Sequence, residues 1–175
     1  PMGRKVIAPF GYIADKQLAI IEMADASGLR LLSETERNAM KASSAGTGEL
    51  MQEAIDLGAT HIILCIGGSA TTDGGMGILT ALGYKFLSSS GEELGGSGEA
   101  LKHIVQIVEP EGLKKLHITV LCDVSNPLLG ASGAAAVYGP QKGASPEQVA
   151  QLDDGLGHWA NLIRQYKAID VTGVK

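Results

Sequence analysis

The residues with the most chemical potential lie in one run, Ile62-Ile63-Leu64-Cys65-Ile66-Gly67-Gly68-Ser69-Ala70-Thr71-Thr72-Asp73-Gly74-Gly75-Met76-Gly77-Ile78-Leu79. An apolar, β-branched stretch opens into a loop of glycines, hydroxyls and one acid, and the apolar residues that follow predict a helix ending at Gly83. Glycine leaves backbone N–H groups bare for a ligand, and a strand-to-helix loop gathers several of them. The loop therefore predicts an anion cradle, with Ser69, Thr71 and Thr72 as additional donors. A structural loop without a ligand is the competing explanation. Asp73 bears on that choice, because a carboxylate among phosphate-binding amides repels the anion unless it holds Mg²⁺ or accepts a proton. The loop is not a Walker A sequence, since no Lys-Ser or Lys-Thr follows the glycines. It is also a poor dinucleotide fingerprint, because Thr80 stands at the third glycine position of Gly75-Met76-Gly77-Ile78-Leu79-Thr80.

Two further segments carry polar groups in suggestive places. In Val120-Leu121-Cys122-Asp123-Val124-Ser125-Asn126-Pro127, Asp123 ends an apolar strand at the edge where open α/β sheets bind ligands, although Asp is also a common turn residue. In Tyr138-Gly139-Pro140-Gln141-Lys142-Gly143, Lys142 could hold a phosphate as a point charge; a solvated surface lysine is the plainer alternative. His61, His103, His117 and His158 are scattered without triad or metal spacing, so strand-edge or surface roles are expected of them. Ser69 has no Gly-x-Ser-x-Gly elbow, which argues against a hydrolase nucleophile.

These groups need elements to position them. Leu18 to Met23, His61 to Ile66 and His117 to Cys122 read as buried strands, with Tyr84 to Leu87 and Ile104 to Val108 as further apolar runs. Thr47 reads as the N-cap of a helix over Gly48 to Leu57, with Gly58 just past its end. Ser145-Pro146-Glu147-Gln148 predicts a capping box, followed by Val149, Leu152, Leu156, Trp159, Leu162, Ile163 and Tyr166 at helical spacing. Gly155 and Gly157 weaken that helix by about 1 kcal/mol each relative to Ala. Strands alternating with helices predict an α/β fold with a mostly parallel sheet and flanking helices.

Composition narrows the function classes. The 175 residues suit one compact unit or part of a larger one; 45% are hydrophobic and 19% charged, the ordinary globular range. The 24 glycines follow no collagen-like period. A net charge of -5, with no basic run beyond pairs such as Lys114-Lys115, disfavours a nucleic-acid partner. Cys65 and Cys122 lie in apolar runs without metal-ligand spacing and are expected to be buried structural thiols. No signal peptide or membrane-length apolar stretch is read, so a cytoplasmic protein without membrane contacts is expected. Pro1 to Lys5 and Thr172 to Lys175 read as ragged ends.

Taken together, Ile21-Glu22-Met23-Ala24 with Ser27-Gly28, Gly46-Thr47-Gly48-Glu49-Leu50, the Ile66 to Gly75 run, Cys122 to Leu128 and Gly139-Pro140-Gln141-Lys142-Gly143 resemble the bacterial glycerate kinase family. The motifs are collinear and span nearly the whole chain. Ala45, Cys65 and Thr72 depart from the usual aromatic, glycine and asparagine, but leave the other polar motif residues intact. The resemblance implies an ATP-dependent kinase of D-glycerate using Mg²⁺ and forming phosphoglycerate, with its active site between two α/β parts. It also implies that residues 1–175 are the inserted central domain, with the flanking segments of the other domain absent, and that the chain alone turns over glycerate poorly. In that frame Asp73, Asp123 and Lys142 are the candidate catalytic groups, with Asp73 or Asp123 as Mg²⁺ ligand. Gly67, Gly68, Ser69, Thr71, Thr72, Gly74, Gly75 and Asn126 are the candidate phosphate or substrate contacts. An NAD-binding oxidoreductase domain and a non-catalytic ligand-binding or assembly module remain as alternatives, and the oligomeric state is open.

Overall fold

Residues 1–112 and 115–172 are described by a computed structural model; Lys114 of the basic pair and the last three residues of the expected ragged end lie outside the described residues. In chain order the elements are β1 (Gly11–Ile13), β2 (Leu18–Glu22), α1 (Met23–Ser27), α2 (Ala45–Asp56), β3 (His61–Cys65), α3 (Met76–Ala81), β4 (Lys85–Leu87), β5 (Gln106–Val108), β6 (His117–Leu121), α4 (Ala134–Tyr138) and α5 (Pro146–Lys167). Short 3-10 turns join them, including Gly98–His103 and Pro140–Lys142.

The main sheet has the order β1-β2-β3-β6, with β2, β3 and β6 mutually parallel and β1 antiparallel at one edge. The protein is thus α/β with a mostly parallel sheet, as its alternating strands and helices predict. Strand side chains alternate between faces, so Ala19 and Ile21 of β2 pair with Ile62 and Leu64 of β3 on one buried side. Met51 and Ala54 of α2 close over them. Full burial of an aliphatic side chain such as Ile21 or Ile62 stabilises the fold by roughly 1.5–3 kcal/mol. Gly48 lets α2 pass close to α3: a Cβ there would sit 2.6 Å from the Ile78 carbonyl oxygen.

A second core forms between α5, the antiparallel β4–β5 pair and the Gly98–His103 turn. Its helix begins as the sequence predicts, with the Ser145 hydroxyl accepting from the Gln148 amide and the Gln148 side chain accepting from the Ser145 amide. Leu152, Leu156 and Trp159 fall on its buried face, and Trp159 meets Phe86 edge to face at 5.4 Å. Gly155, a cost by propensity, lies against Leu101, where an added Cβ would be only 3.3 Å away.

Three expectations are corrected. The last parallel strand is not buried: among the described residues β6 has one sheet neighbour, β3, and Ile118, Val120 and Leu121 are all exposed. For the same reason the thiols are not both buried, Cys122 being exposed and Cys65 half-buried. Thr47 is not a cap either. The helix starts earlier with Ser44 before it, and Thr47 lies inside, its hydroxyl donating to Ser27 Oγ at 2.8 Å.

Candidate active site

Parallel strands deliver the candidate residues to one sheet edge. Cys65 of β3 is in register with Leu121 of β6. Gly67 and Asp123, each two residues further on, therefore both follow the carboxyl ends of neighbouring parallel strands. The loop after β3 then runs to α3, as the sequence predicts, but its two halves have different environments.

The first half faces solvent. Gly67 and Gly68 are exposed and Ser69 is half-buried. The Gly68 carbonyl accepts from the Leu29 amide at 2.9 Å and the Ala70 amide donates to the Ser27 carbonyl at 2.8 Å, which fixes the loop against α1. The amides of Gly67, Gly68 and Ser69 have no hydrogen-bond partner among the described residues. Behind them stands Lys142, only 8% exposed, whose Nζ donates to Ser69 Oγ at 3.0 Å and to the Thr71 carbonyl at 2.5 Å. Burial lowers its pKa from 10.5 to about 8, and the charge of Asp73 offsets part of that shift. The motif lysine is therefore not a solvated surface group.

The second half is closed around Asp73. This side chain is 2% exposed and accepts four bonds: from the Ser44 amide at 2.8 Å, the Ser44 hydroxyl at 2.7 Å, the Gly75 amide at 3.2 Å and the Gly77 amide at 3.2 Å. The Met76 amide donates to the Asp73 carbonyl, and the Ile78 amide to Ser44 Oγ. The first-turn amides of α3 thus already hold an anion, supplied by the protein itself. Burial raises the Asp73 pKa, against the four hydrogen bonds that favour its charged form. Both Asp73 oxygens are engaged within the protein, so the proton-acceptor or metal-ligand role expected of it would require these bonds to be exchanged. The Gly75, Met76, Gly77 and Ile78 amides are thus engaged within the protein, whereas those of Gly67, Gly68 and Ser69 are not.

The other expected contacts divide in the same way. Thr71 and Thr72 are buried, and Thr72 Oγ1 has no partner among the described residues. Gly74 is exposed but its carbonyl accepts from Trp159 Nε1 at 3.1 Å; with φ at +57° and Trp159 Cδ1 only 2.7 Å from where a Cβ would be, the position requires glycine. Gly75, also at positive φ, turns the chain into α3. Asn126 is a loop brace rather than a free contact: its Nδ2 donates to the Ser132 carbonyl and its Oδ1 accepts from the Tyr138 hydroxyl at 2.6 Å. Asp123 is exposed, the open carboxylate of the expected pair. The histidines take edge and packing roles, His61 stacking on His117 at 4.4 Å and His158 Nε2 bonding the Ile104 carbonyl at 2.7 Å.

Two positions escaped sequence reasoning. Ser44 holds both Asp73 and the Ile78 amide, yet nothing in its local sequence marks it. Arg37 donates through Nη1 to the Gln141 carbonyl at 3.3 Å, bracing the turn that carries Lys142 across 104 residues of sequence.

The molecule is an α/β domain that places bare amides and a buried lysine at the carboxyl edge of its parallel strands, the edge where open α/β sheets in general carry their ligand sites. Sequence comparison gives the particular family. The chain belongs to the glycerate kinase family, whose model matches residues 1–175. It is 51% identical to a glycerate kinase of Haemophilus influenzae, over 93% of this chain and 44% of that protein. It is 45% identical to the glycerate 2-kinase of Escherichia coli K12, over 99% of this chain and 46% of that protein. A crystal structure assigned to glycerate kinase 2 of Salmonella typhimurium LT2 superposes with a TM-score of 0.93 at 44% identity, covering 99% of this chain and 47% of that one. The chain thus spans about half the length of these relatives.

Proposed function

We propose that the protein serves as the central α/β domain of a glycerate kinase, transferring the γ-phosphoryl group of ATP to a hydroxyl of D-glycerate to give phosphoglycerate. The observation that carries this reading is the placement of Lys142 directly behind the unpaired Gly67–Ser69 amides. Phosphoryl transfer asks a protein mainly for alignment and for neutralisation of charge on the moving group. The Gly67, Gly68 and Ser69 amides bind a phosphate or the glycerate carboxylate, and the Lys142 ammonium offsets its charge. Asp123, on the adjacent strand end, takes the role left open by the engagement of Asp73.

No cluster of three or more metal-ligating side chains occurs among the described residues. A single open carboxylate nevertheless fits Mg²⁺, which is commonly held by one or two carboxylates and the substrate phosphates. Asp123 would hold it, and the ion would supply charge neutralisation between the nucleotide phosphates. The NAD-dependent alternative loses ground on the same geometry, because Asp73 occupies the helix terminus that a dinucleotide pyrophosphate would need. No helix among the described residues is long and apolar enough to cross a membrane. A cytoplasmic site of action suits ATP and a small organic acid.

The test is a coupled ADP-release assay with D-glycerate and MgATP, run beside the Haemophilus influenzae relative. Glycerate-dependent ADP release that disappears in Asp123→Asn supports the assignment. Because the relatives are about twice as long, we further propose that the chain alone turns over more slowly than they do. Equal turnover would place the whole chemistry within residues 1–175. No glycerate-dependent release, either alone or when the chain replaces the matching part of the relative, would overturn the kinase reading.

A further inference from the structure

The Ser69–Lys142 contact supports more than charge neutralisation. Ser69 Oγ lies 3.0 Å from Lys142 Nζ, within proton-transfer distance, on a glycine-rich loop at the protein surface. The Thr71 carbonyl, 2.5 Å from the same nitrogen, holds one of its N–H bonds and so orients the amine. A neutral Lys142 can keep that donation while its lone pair accepts the Ser69 proton. Nucleophilic serines are activated in this way by a lysine as well as by a histidine. The missing Gly-x-Ser-x-Gly elbow therefore does not settle the matter, because the base comes from 73 residues away.

We propose that Ser69 and Lys142 form a nucleophile–base pair, in which Ser69 Oγ accepts a phosphoryl group from an electrophilic phosphoryl ester or anhydride. In that step the Oγ–P bond forms and the bond from phosphorus to the leaving group breaks, its electron pair departing with the leaving group. The Ser69 proton passes to Lys142 Nζ, which becomes ammonium. The unpaired Gly67 and Gly68 amides stand beside Ser69 to receive the phosphoryl oxygens. The charged groups facing Lys142 are Asp73 from the loop and Arg37, which braces the Gln141 carbonyl beside it. With the Lys142 pKa near 8, roughly a tenth of the molecules carry the neutral amine at pH 7. The proposal uses the geometry of the same loop but does not depend on glycerate being the substrate.

The experiment treats the full chain with a biotin-tagged fluorophosphonate and follows adducts by intact mass and peptide mapping. Fluoride is the leaving group, and exposed Ser89 and Ser90 are internal references. Ser69 should be modified at least about 100-fold faster than Ser89 or Ser90, in line with the gain from a positioned base. Its rate should rise nearly tenfold from pH 6 to pH 7 and level off above about pH 8. Lys142→Arg, which keeps a cation but offers no base, should lose that advantage. Ser69 reacting no faster than the reference serines overturns the proposal, and so does full reactivity in Lys142→Arg. Should Lys142→Arg not fold, a pH-independent Ser69 rate in the unmodified protein overturns it equally. None of these outcomes bears on glycerate-dependent ADP release, so failure here and failure of the kinase reading are distinguishable.

Discussion

Two halves of one glycine-rich loop do opposite things with the same residue types. From Gly67 to Ser69 the backbone amides stay unpaired, with a cation behind them. Further along, the Gly75 and Gly77 amides turn inward onto the Asp73 carboxylate and the Ile78 amide onto the Ser44 hydroxyl. Glycine content does not distinguish the halves. What does is whether the fold supplies the partner: Asp73 and Ser44 take the Gly75, Gly77 and Ile78 amides, whereas those of Gly67 to Ser69 are left without one, beside Lys142.

The difference is most exposed to Lys142→Met, which should leave the closed half intact and empty the open half of its charge. We expect glycerate-dependent turnover to fall by about 1000-fold, or about 4 kcal/mol of transition-state stabilisation, the scale seen when a donor to a developing anion is lost. Steady-state kinetics on the variant checks this. Retained turnover would mean that Lys142 only packs.

Asp73→Asn probes the other half. It replaces a carboxylate that accepts four bonds with an amide whose nitrogen faces donors, so about 3 kcal/mol of stability should be lost. Turnover per folded molecule should fall much less than in Lys142→Met. Chemical denaturation beside kinetics separates the two effects, and an Asp73→Asn protein that is stable but inactive would make Asp73 a catalytic group.

How much of this was legible in the sequence follows from how local each cause is. The α5 cap was readable because Ser145, Pro146 and Gln148 complete it within four residues. The strand-loop-helix path was readable because apolar period and glycine placement are local too. The role of Asp73 was not, since its closing partner, Ser44, is 29 residues distant. Thr47 looked like a cap by residue type, yet its hydroxyl is used 20 residues back by Ser27. Exposure of β6 and Cys122 depends on the number of sheet neighbours, which no local pattern records. The collinear motifs identified the family, but they did not distinguish a carboxylate that braces a loop from one left open.

Gly74→Ala is the mildest way to disturb the comparison. The added methyl would press on Trp159 and occupy a left-handed backbone position, at a cost of about 2 kcal/mol. Thermal unfolding should register that loss. With Gly67–Ser69 undisturbed, KM for glycerate should stay within about twofold, well below the tenfold that 1.4 kcal/mol of lost binding would produce. A large rise in KM would show that the halves are mechanically coupled.

The most direct measurement is an amide-resolved NMR titration of the ¹⁵N-labelled protein with D-glycerate and, separately, with a non-hydrolysable ATP analogue. At least one ligand should shift the Gly67, Gly68 and Ser69 amides in a saturable way, leaving those of Gly75, Gly77 and Ile78 nearly in place. Saturable shifts confined to Gly75, Gly77 and Ile78, or none in either set, would contradict the division of the loop into an open anion site and a closed brace.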